Sequence, residues 1–502
     1  MQDNIEIEFK NNKFSTFILK NINQSPEEYI DVLLQLISNK YTDVSEFIAI
    51  VYYSLNEHWH QKTQKLVAHY YFKRNSQNND FGFQFISVVS EEYFNIHFSL
   101  NQFENFNTNN ELFQKSTITV NFDKNIFEYT KKQILENPNS VTFNPNEVFL
   151  LEPIFIPKPW GQEIWFTGVE KRGVSKIKSI RNENTSIPIP WFFSSLPKKL
   201  LGKKFAEQNL MLVKILDPFP EPIFGDLYYE LHTEKNEVYI VTEITATEGK
   251  IKFGANSKKL EEINYDIHLY KQQLFKVIKD YEKIRRKIDF LFDEFRIQFN
   301  IPLNEPISTN TIKEWLLKIP TELVEEEKSL RLIMDSYSGY LNLIIGDVIK
   351  VPTLIPHALQ HGVKVIEFQT PTYERMILSF AQKVLTQNHW DTEKAIEVMN
   401  ITPPNKTKLE LIQKTESYCE ELVCSFKEFQ SSRFKLEENA ILYFQALDNY
   451  RILFNVFGSV YIKTNKIEYI EIPPSSCIFI PANLEFELKS LSGATILFCL
   501  PN

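Results

Sequence analysis

Glu230-Leu231-His232-Thr233-Glu234-Lys235-Asn236-Glu237, together with the later run Gly346-Asp347-Val348-Ile349-Lys350-Val351-Pro352-Thr353-Leu354-Ile355-Pro356-His357, decides how this chain is read. On a β-strand, residues i and i+2 share a face, so Glu230 and His232 project together. A turn over residues 233–236 predicts a hairpin that sets His232 opposite Glu237, with side chains about 5 Å apart. Gly346-Asp347 reads as a turn, and Pro352 and Pro356 punctuate an edge or rim, which places His357 there. Two imidazoles and two carboxylates around one point are a ligand set for Zn²⁺, Fe²⁺ or Mn²⁺. A lone strand histidine is more often structural. The order of the two halves is what lifts the metal reading of Glu230, His232, Glu237 and His357 above that alternative.

The bulk properties frame this site. A chain of 502 residues has room for about three domains. Its hydrophobic content of 43% supports ordinary cores. A net charge of −9 disfavours nucleic acid or an anionic membrane as partner, so a phosphorylated ligand needs local cations. No apolar run reaches the ~18 residues of a membrane span. The opening Met1-Gln2-Asp3-Asn4-Ile5-Glu6-Ile7-Glu8 is acidic and unlike a secretory leader. Cys419, Cys424, Cys477 and Cys499 are too sparse for a disulfide scaffold, which predicts a reduced, cytoplasmic protein. The oligomeric state is not legible.

Residues 1–145 are expected to form a separate α+β region without assigned chemistry. Ser25-Pro26-Glu27-Glu28 reads as a helix start, and Asp43-Val44-Ser45-Glu46 reads as a second. Alternating runs at 81–86 and 116–122 read as strands. His58-Trp59-His60 resembles a metal pair, but as a helical i, i+2 pair its side chains would diverge by about 200°, so it is assigned to surface or packing. Residues 136–146, rich in Asn and Pro, read as a linker. A β-rich region follows over 150–257. It holds Pro157-Lys158-Pro159-Trp160-Gly161 and the apolar strand Leu210–216, interrupted by Lys214. Apolar residues at three- and four-residue steps from Leu274 to Phe295 predict a long amphipathic helix, with another near 311–319. This helical block, 258–339, separates the two halves of the metal motif. Strands return over 340–385. A helical connection is expected over 386–435, with helix across 380–399, and β structure over 436–502. That last region repeats the Gly-to-Ile-Pro pattern with no histidine after His389, as in Phe479-Ile480-Pro481-Ala482.

Phe155-Ile156-Pro157-Lys158-Pro159-Trp160-Gly161, Leu212-Val213-Lys214-Ile215-Leu216, Glu237, the segment 346–367 and Phe479-Ile480-Pro481-Ala482 resemble the type I phosphomannose isomerases of the cupin superfamily. The resemblance spans about residues 150–502. It implies a mainly β fold with a helical insertion: a metal-binding cupin (jelly-roll) barrel over 150–257 and 340–385, and a metal-free cupin barrel over 436–502. It also implies a zinc-dependent interconversion of mannose 6-phosphate and fructose 6-phosphate. Glu237 and His357 match two zinc ligands of the family, and His232 a third. Where the family has Gln-x-His-Pro-Asp, this chain has Glu230, and Thr-Glu follows the histidine. Lys214 and Lys235 fall where family lysines line the substrate site. Glu367 and Arg375 match its acid/base carboxylate and its catalytic arginine.

The chemistry is consistent with these roles. Moving a proton between C1 and C2 through an enediol(ate) needs a base, a cation where oxyanion charge develops, and a grip on phosphate. Glu367 suits the first if burial raises its pKa. Arg375 suits the enediolate or the phosphate, and Lys214 and Lys235 supply further positive charge. His361 is expected at the rim, not as a ligand. Two other classes stay open at this stage. One is a cupin holding Fe²⁺ for oxygen chemistry. The other is a sugar-phosphate-binding or sensing protein with a degenerate isomerase site.

Overall fold

The computed structural model describes residues 13–40, 43–76, 80–94, 103–106, 111–113, 116–181, 186–406, 408–465 and 467–502. The opening segment 1–8, read above as unlike a leader, lies outside them. Helix Pro26–Lys40 forms where the Ser-Pro-Glu signal places it. Asp43-Val44-Ser45-Glu46 does not start a helix. Ser45 Oγ donates to the Lys13 carbonyl (3.0 Å) instead of capping, and the apolar run from Phe47 extends as strand Glu46–Glu57. Six of the seven residues Phe47–Tyr53 are β-branched or aromatic, which favours a doubly covered strand over a helix.

The strand belongs to a seven-stranded sheet running from Glu104–Phe106 to Val141–Phe143. The stretch read as a linker thus supplies its last strand. Alternate residues of the central strands serve two cores. Phe17 and Phe47 pack with Tyr29, Leu33 and Ile37 of one helix. Ile18 and Ile48 pack with Phe127 and Ile134 of helix Lys124–Glu136. His58-Trp59-His60 lies in the turn between strands Glu46–Glu57 and Lys62–Arg74, where His60 Nδ1 stands 3.4 Å from Glu57. The first region is docked on the rest of the chain. Buried Glu27 accepts from the Lys198 and Lys199 amides (2.6 and 2.7 Å), and Trp191 donates to Glu57 (2.8 Å).

The metal motif lies between two further sheets. A six-stranded sheet is ordered Val348–Val351, Glu237–Ile244, Val363–Gln369, Leu212–Pro218, Gly161–Trp165, Ile154–Lys158. A five-stranded sheet is ordered Ser338–Leu343, Gly249–Ala255, His357–Leu359, Tyr229–Leu231, Met376–Ser379. Tyr239, Val241 and Val365 of the first share a core with Leu231, Ile251, Leu359 and Ile377 of the second. Leu274, Ile278, Tyr281 and Ile284 of helix Ile267–Gln298 belong to the same core. The helical block, completed by Thr309–Leu316 and Thr321–Asp335, therefore covers the six- and five-stranded sheets.

Gly161 makes the tight turn between strands Ile154–Lys158 and Gly161–Trp165, with φ 148°. A Cβ there would collide with the Asp217 carbonyl and stand 2.8 Å from Pro218 Cα. Backbone on that side cannot yield cheaply. Gly161→Ala is expected to cost about 1–3 kcal/mol, read as a lower thermal midpoint. An unchanged midpoint would show that the turn relaxes freely.

The helical connection expected over 386–435 is loop and strand for most of its length. Only Thr392–Val398 is helical, and Glu410–Lys414, Tyr418–Ser425 and Phe429–Leu436 are strands. Helix is also absent from 380–391, because tertiary bonds take the local polar groups. Ala381 O accepts from Arg285 (3.1 Å), and Gln382 donates to the Phe224 carbonyl (3.0 Å). The strands after 410 join Phe149–Glu152, Lys176–Ser179 and the C-terminal strands in a nine-stranded sheet, beside a four-stranded one. Phe149 pairs with Phe479 across it. The C-terminal unit is thus built from both ends of the 150–502 region and does not begin at 436. Overall the protein is β-rich with several open sheets. Among the described residues, no helix is long and apolar enough to cross a membrane.

Candidate metal centre and active site

His232 and Glu237 do meet, though not across a hairpin. Strand Tyr229–Leu231 belongs to the five-stranded sheet and Glu237–Ile244 to the six-stranded one, so residues 232–236 cross between sheets. Asn236 pins the crossing, accepting from Thr353 N (3.3 Å) and donating to Glu428 (3.1 Å). His357 opens strand His357–Leu359 and is buried, not exposed on a rim. It is the direct cross-strand partner of Glu230.

Glu230, His232 and His357 bring one ligand atom each within 4.8 Å of one another. Glu237 stands against both imidazoles, with oxygens 3.4 Å from His232 Nε2 and 3.3 Å from His357 Nε2. Backbone carbonyls fix the two rings. His232 Nδ1 lies 2.9 Å from Glu374 O, and His357 Nδ1 lies 2.9 Å from Ile355 O. A carbonyl only accepts, so each Nδ1 carries a proton, and each Nε2 is turned toward Glu237. Burial, followed by the Lys235 charge, lowers the pKa of His232, which favours its neutral form. Neither Nε2 has a hydrogen-bond partner among the described residues, and Glu230 Oε2 is likewise orphaned. Glu230, His232 and His357 thus converge with unpartnered acceptor atoms, with Glu237 beside them, an arrangement that fits a divalent cation. His361 is not part of it, being bonded to Asp226 Oδ1 at 2.7 Å.

The six-stranded sheet carries Glu367 and Lys214 on one face, whereas Lys235 lies in the crossing segment and Arg375 just before strand Met376–Ser379. Tyr239 pairs with Glu367, Glu367 with Lys214, and Lys214 with Trp165, in register across four strands. Each expected cation meets a different carboxylate of the site. Arg375 Nη1 is 3.8 Å from Glu230, Lys235 Nζ is 2.6 Å from Glu237, and Lys214 Nζ is 3.2 Å from Glu367. Glu367 is 0% exposed, and its oxygens accept no hydrogen bond among the described residues. Burial, and then the neighbouring Glu237 carboxylate, pushes its pKa well above the usual range, while Lys214 opposes this. Burial alone would lower the pKa of Lys214, but Glu367, Glu163 and Glu237 outweigh it and keep the amine charged. Arg375 is only half-buried, stacks 4.5 Å over the Tyr228 ring and donates to Thr386 Oγ1 at 2.7 Å.

Four residues of this face escaped the sequence reading. Lys158 and Glu163 form a buried pair at 3.2 Å, Trp165 donates to Glu163 at 2.7 Å, and Tyr239 OH donates to Glu237 at 2.7 Å. Burial pushes Lys158 down to about 8, opposed by Glu163. Burial would raise Glu163, but Lys158, Lys214 and Arg172 hold it far below the usual carboxylate range. Strand alternation gave one signal: Glu163 shares a face with Gly161 and Trp165.

No protein-family profile matches the chain, and no curated protein matches it. Solved structures do. A mannose 6-phosphate isomerase from Bacillus subtilis aligns over 70% of this chain and 99% of its own, at 13% identity and TM-score 0.47. A putative mannosephosphate isomerase from Archaeoglobus fulgidus aligns over 71% and 98%, at 12% identity and TM-score 0.43. A mutant phosphomannose isomerase from Salmonella typhimurium aligns over 71% and 99%, at 13% identity and TM-score 0.46. The likeness is remote.

Proposed function

We propose that this chain is a metal-dependent aldose–ketose isomerase of sugar phosphates, zinc-loaded and cytoplasmic, interconverting mannose 6-phosphate and fructose 6-phosphate. The observation that carries the reading is the pairing of the Glu230, His232 and His357 cluster with a buried carboxylate, Glu367, on facing strands of one site. Glu230, His232, Glu237 and His357 would hold the cation, which when bound supplies Lewis-acid polarisation of the sugar oxygens. Glu367 takes the proton from C2 and returns it at C1, its raised pKa bringing it closer to working pH. Lys214 keeps the Glu367 carboxylate oriented from 3.2 Å away. Arg375, the least buried of the three predicted cations, is the group placed to meet a phosphate or the enediolate. Lys235 serves the metal carboxylate Glu237 and is not free for substrate.

The fold reading goes with this one. The six- and five-stranded sheets make a metal-binding cupin barrel, and the nine- and four-stranded sheets make a metal-free one. Residues 1–145 and the helical block 258–339 are separate units. A second reading has one observation behind it. Two imidazoles and one carboxylate, Glu230, His232 and His357, are also the ligand set of Fe²⁺ oxygen chemistry.

The deciding experiment is turnover. Protein reconstituted with Zn²⁺, and separately with Fe²⁺, is incubated with mannose 6-phosphate and assayed for fructose 6-phosphate. Isomerisation by the zinc form is expected, with unphosphorylated mannose at least about 100-fold slower, the worth of one to two charged hydrogen bonds. Binding without isomerisation in either metal form would end the isomerase reading. Equal rates on mannose and its phosphate would remove the phosphate role of Arg375.

A further inference from the structure

A cavity lies away from Glu230, His232 and His357, between the helical block and the loops of the six- and five-stranded sheets. It encloses about 290 Å³, near the lower end of small-molecule sites. None of Glu230, His232, Glu237, His357 or Glu367 lines it. Its walls are apolar: Phe224 from the loop before strand Tyr229–Leu231, and Phe292, Ile312, Leu316 and Val324 from the three long helices of the block.

Two buried polar side chains in this wall are incompletely used. Arg296, 3% exposed, donates through Nη2 to Glu305 O (3.0 Å), but its Nε has no partner among the described residues. Its nearest carboxylate is Asp293, at 3.9 Å, and Lys383 already grips that group at 2.8 Å. Gln382, 7% exposed, spends its amide N–H groups on the Ile223 and Phe224 carbonyls and leaves Oε1 unpartnered among the described residues. Of the cations that line the cavity, Arg285 is paired with Asp289 (2.9 Å), Arg331 with Glu327 (3.3 Å) and Lys383 with Asp293, and Lys328 is exposed, which leaves Arg296 as the buried one without a close carboxylate. A guanidinium this buried and this loosely compensated is costly unless an anion completes it.

We propose that this cavity is a second ligand site, independent of the isomerase reading, for a small anionic amphiphile: an apolar body among Phe292, Ile312 and Leu316, and an anionic headgroup on Arg296. Carboxylate and phosphate headgroups share the chemistry that Arg296 recognises. A hydroxyl beside the headgroup would also satisfy Gln382 Oε1.

Calorimetric titration of the full chain with hexanoate, hexyl phosphate and hexanol tests this. One anionic amphiphile is expected to bind at one per chain, and which of the two binds tighter identifies the headgroup. Hexanol should bind at least about tenfold more weakly, the worth of one charged hydrogen bond. Leu316→Trp, which fills the cavity, should abolish binding, and Arg296→Met should weaken the anions about tenfold while leaving hexanol unchanged. If Arg296→Met does not fold, Leu316→Trp carries the test alone. The proposal is overturned if neither anion binds, if hexanol binds as tightly as the anions, or if binding survives Leu316→Trp undiminished.

Discussion

His357→Ala is expected to strip the protein of stoichiometric divalent metal while leaving it folded. His357 supplies an Nε2 that faces Glu237 from 3.3 Å and has no hydrogen-bond partner among the described residues. Its Nδ1–H is committed to the Ile355 carbonyl at 2.9 Å, so the ring cannot rotate to serve another role. Losing one ligand of three or four should exceed the 10–100-fold affinity loss typical of losing a mere supporting residue. The fold should survive, because His357 is one residue at the start of a short strand flanked by Tyr229–Leu231 and Gly249–Ala255. The cavity created costs about 2–5 kcal/mol, by analogy with large-to-small core changes. Metal content by mass spectrometry after dialysis, with a thermal melt of the same sample, reads both halves. Unchanged metal content would remove the basis of the site. Unfolding with metal loss, without rescue by added Zn²⁺, would make His357 structural.

The site was more legible than the path that assembles it. Glu230, His232 and His357 were recognisable from i, i+2 spacing and the Pro-His ending, because strand alternation is local and strict. The geometry joining His232 to Glu237 was not. A short polar stretch looks the same whether it closes a hairpin or crosses between sheets, and only the long-range partners of Asn236 decide. The same limit explains Ser45. Its sequence neighbours are those of a helix cap, but Lys13 O, distant in sequence, takes its hydroxyl. Helix Ile267–Gln298 was readable because its apolar stripe repeats over many turns. The loop 380–391 was not, because Arg285 and the Ile223–Phe224 carbonyls claim its polar groups from outside the segment. The proposed roles of Lys214 and Lys235 differ from the sequence expectation for a related reason. Sequence shows that a cation is near a site, but not which carboxylate it faces.

Glu367→Gln is expected to lower kcat by about 10²–10⁴-fold with KM little changed, the usual worth of a positioned acid/base group. The amide keeps the shape of a 0%-exposed side chain but cannot take a proton, so binding should persist where turnover does not. Lys214→Met supplies the finer test. With Lys214 paired to Glu367 at 3.2 Å, its loss should act less on substrate affinity than on the base itself. The sign follows from the charges. Burial and Glu237 already hold the Glu367 pKa above the usual carboxylate range, and Lys214 is the main group pulling it down. Only the ionised form accepts a proton, so activity rises as pH climbs through that pKa. Removing the lysine raises it further, and the acid limb of the kcat–pH profile should move to higher pH, whatever constant offset a bound cation adds. Loss at acidic pH should therefore be partly recovered at alkaline pH in Lys214→Met and not at all in Glu367→Gln. A Lys214→Met profile with an unmoved acid limb and a raised KM would assign that lysine to the substrate, and a Glu367→Gln variant with near-normal kcat would take the proton transfer away from Glu367 altogether.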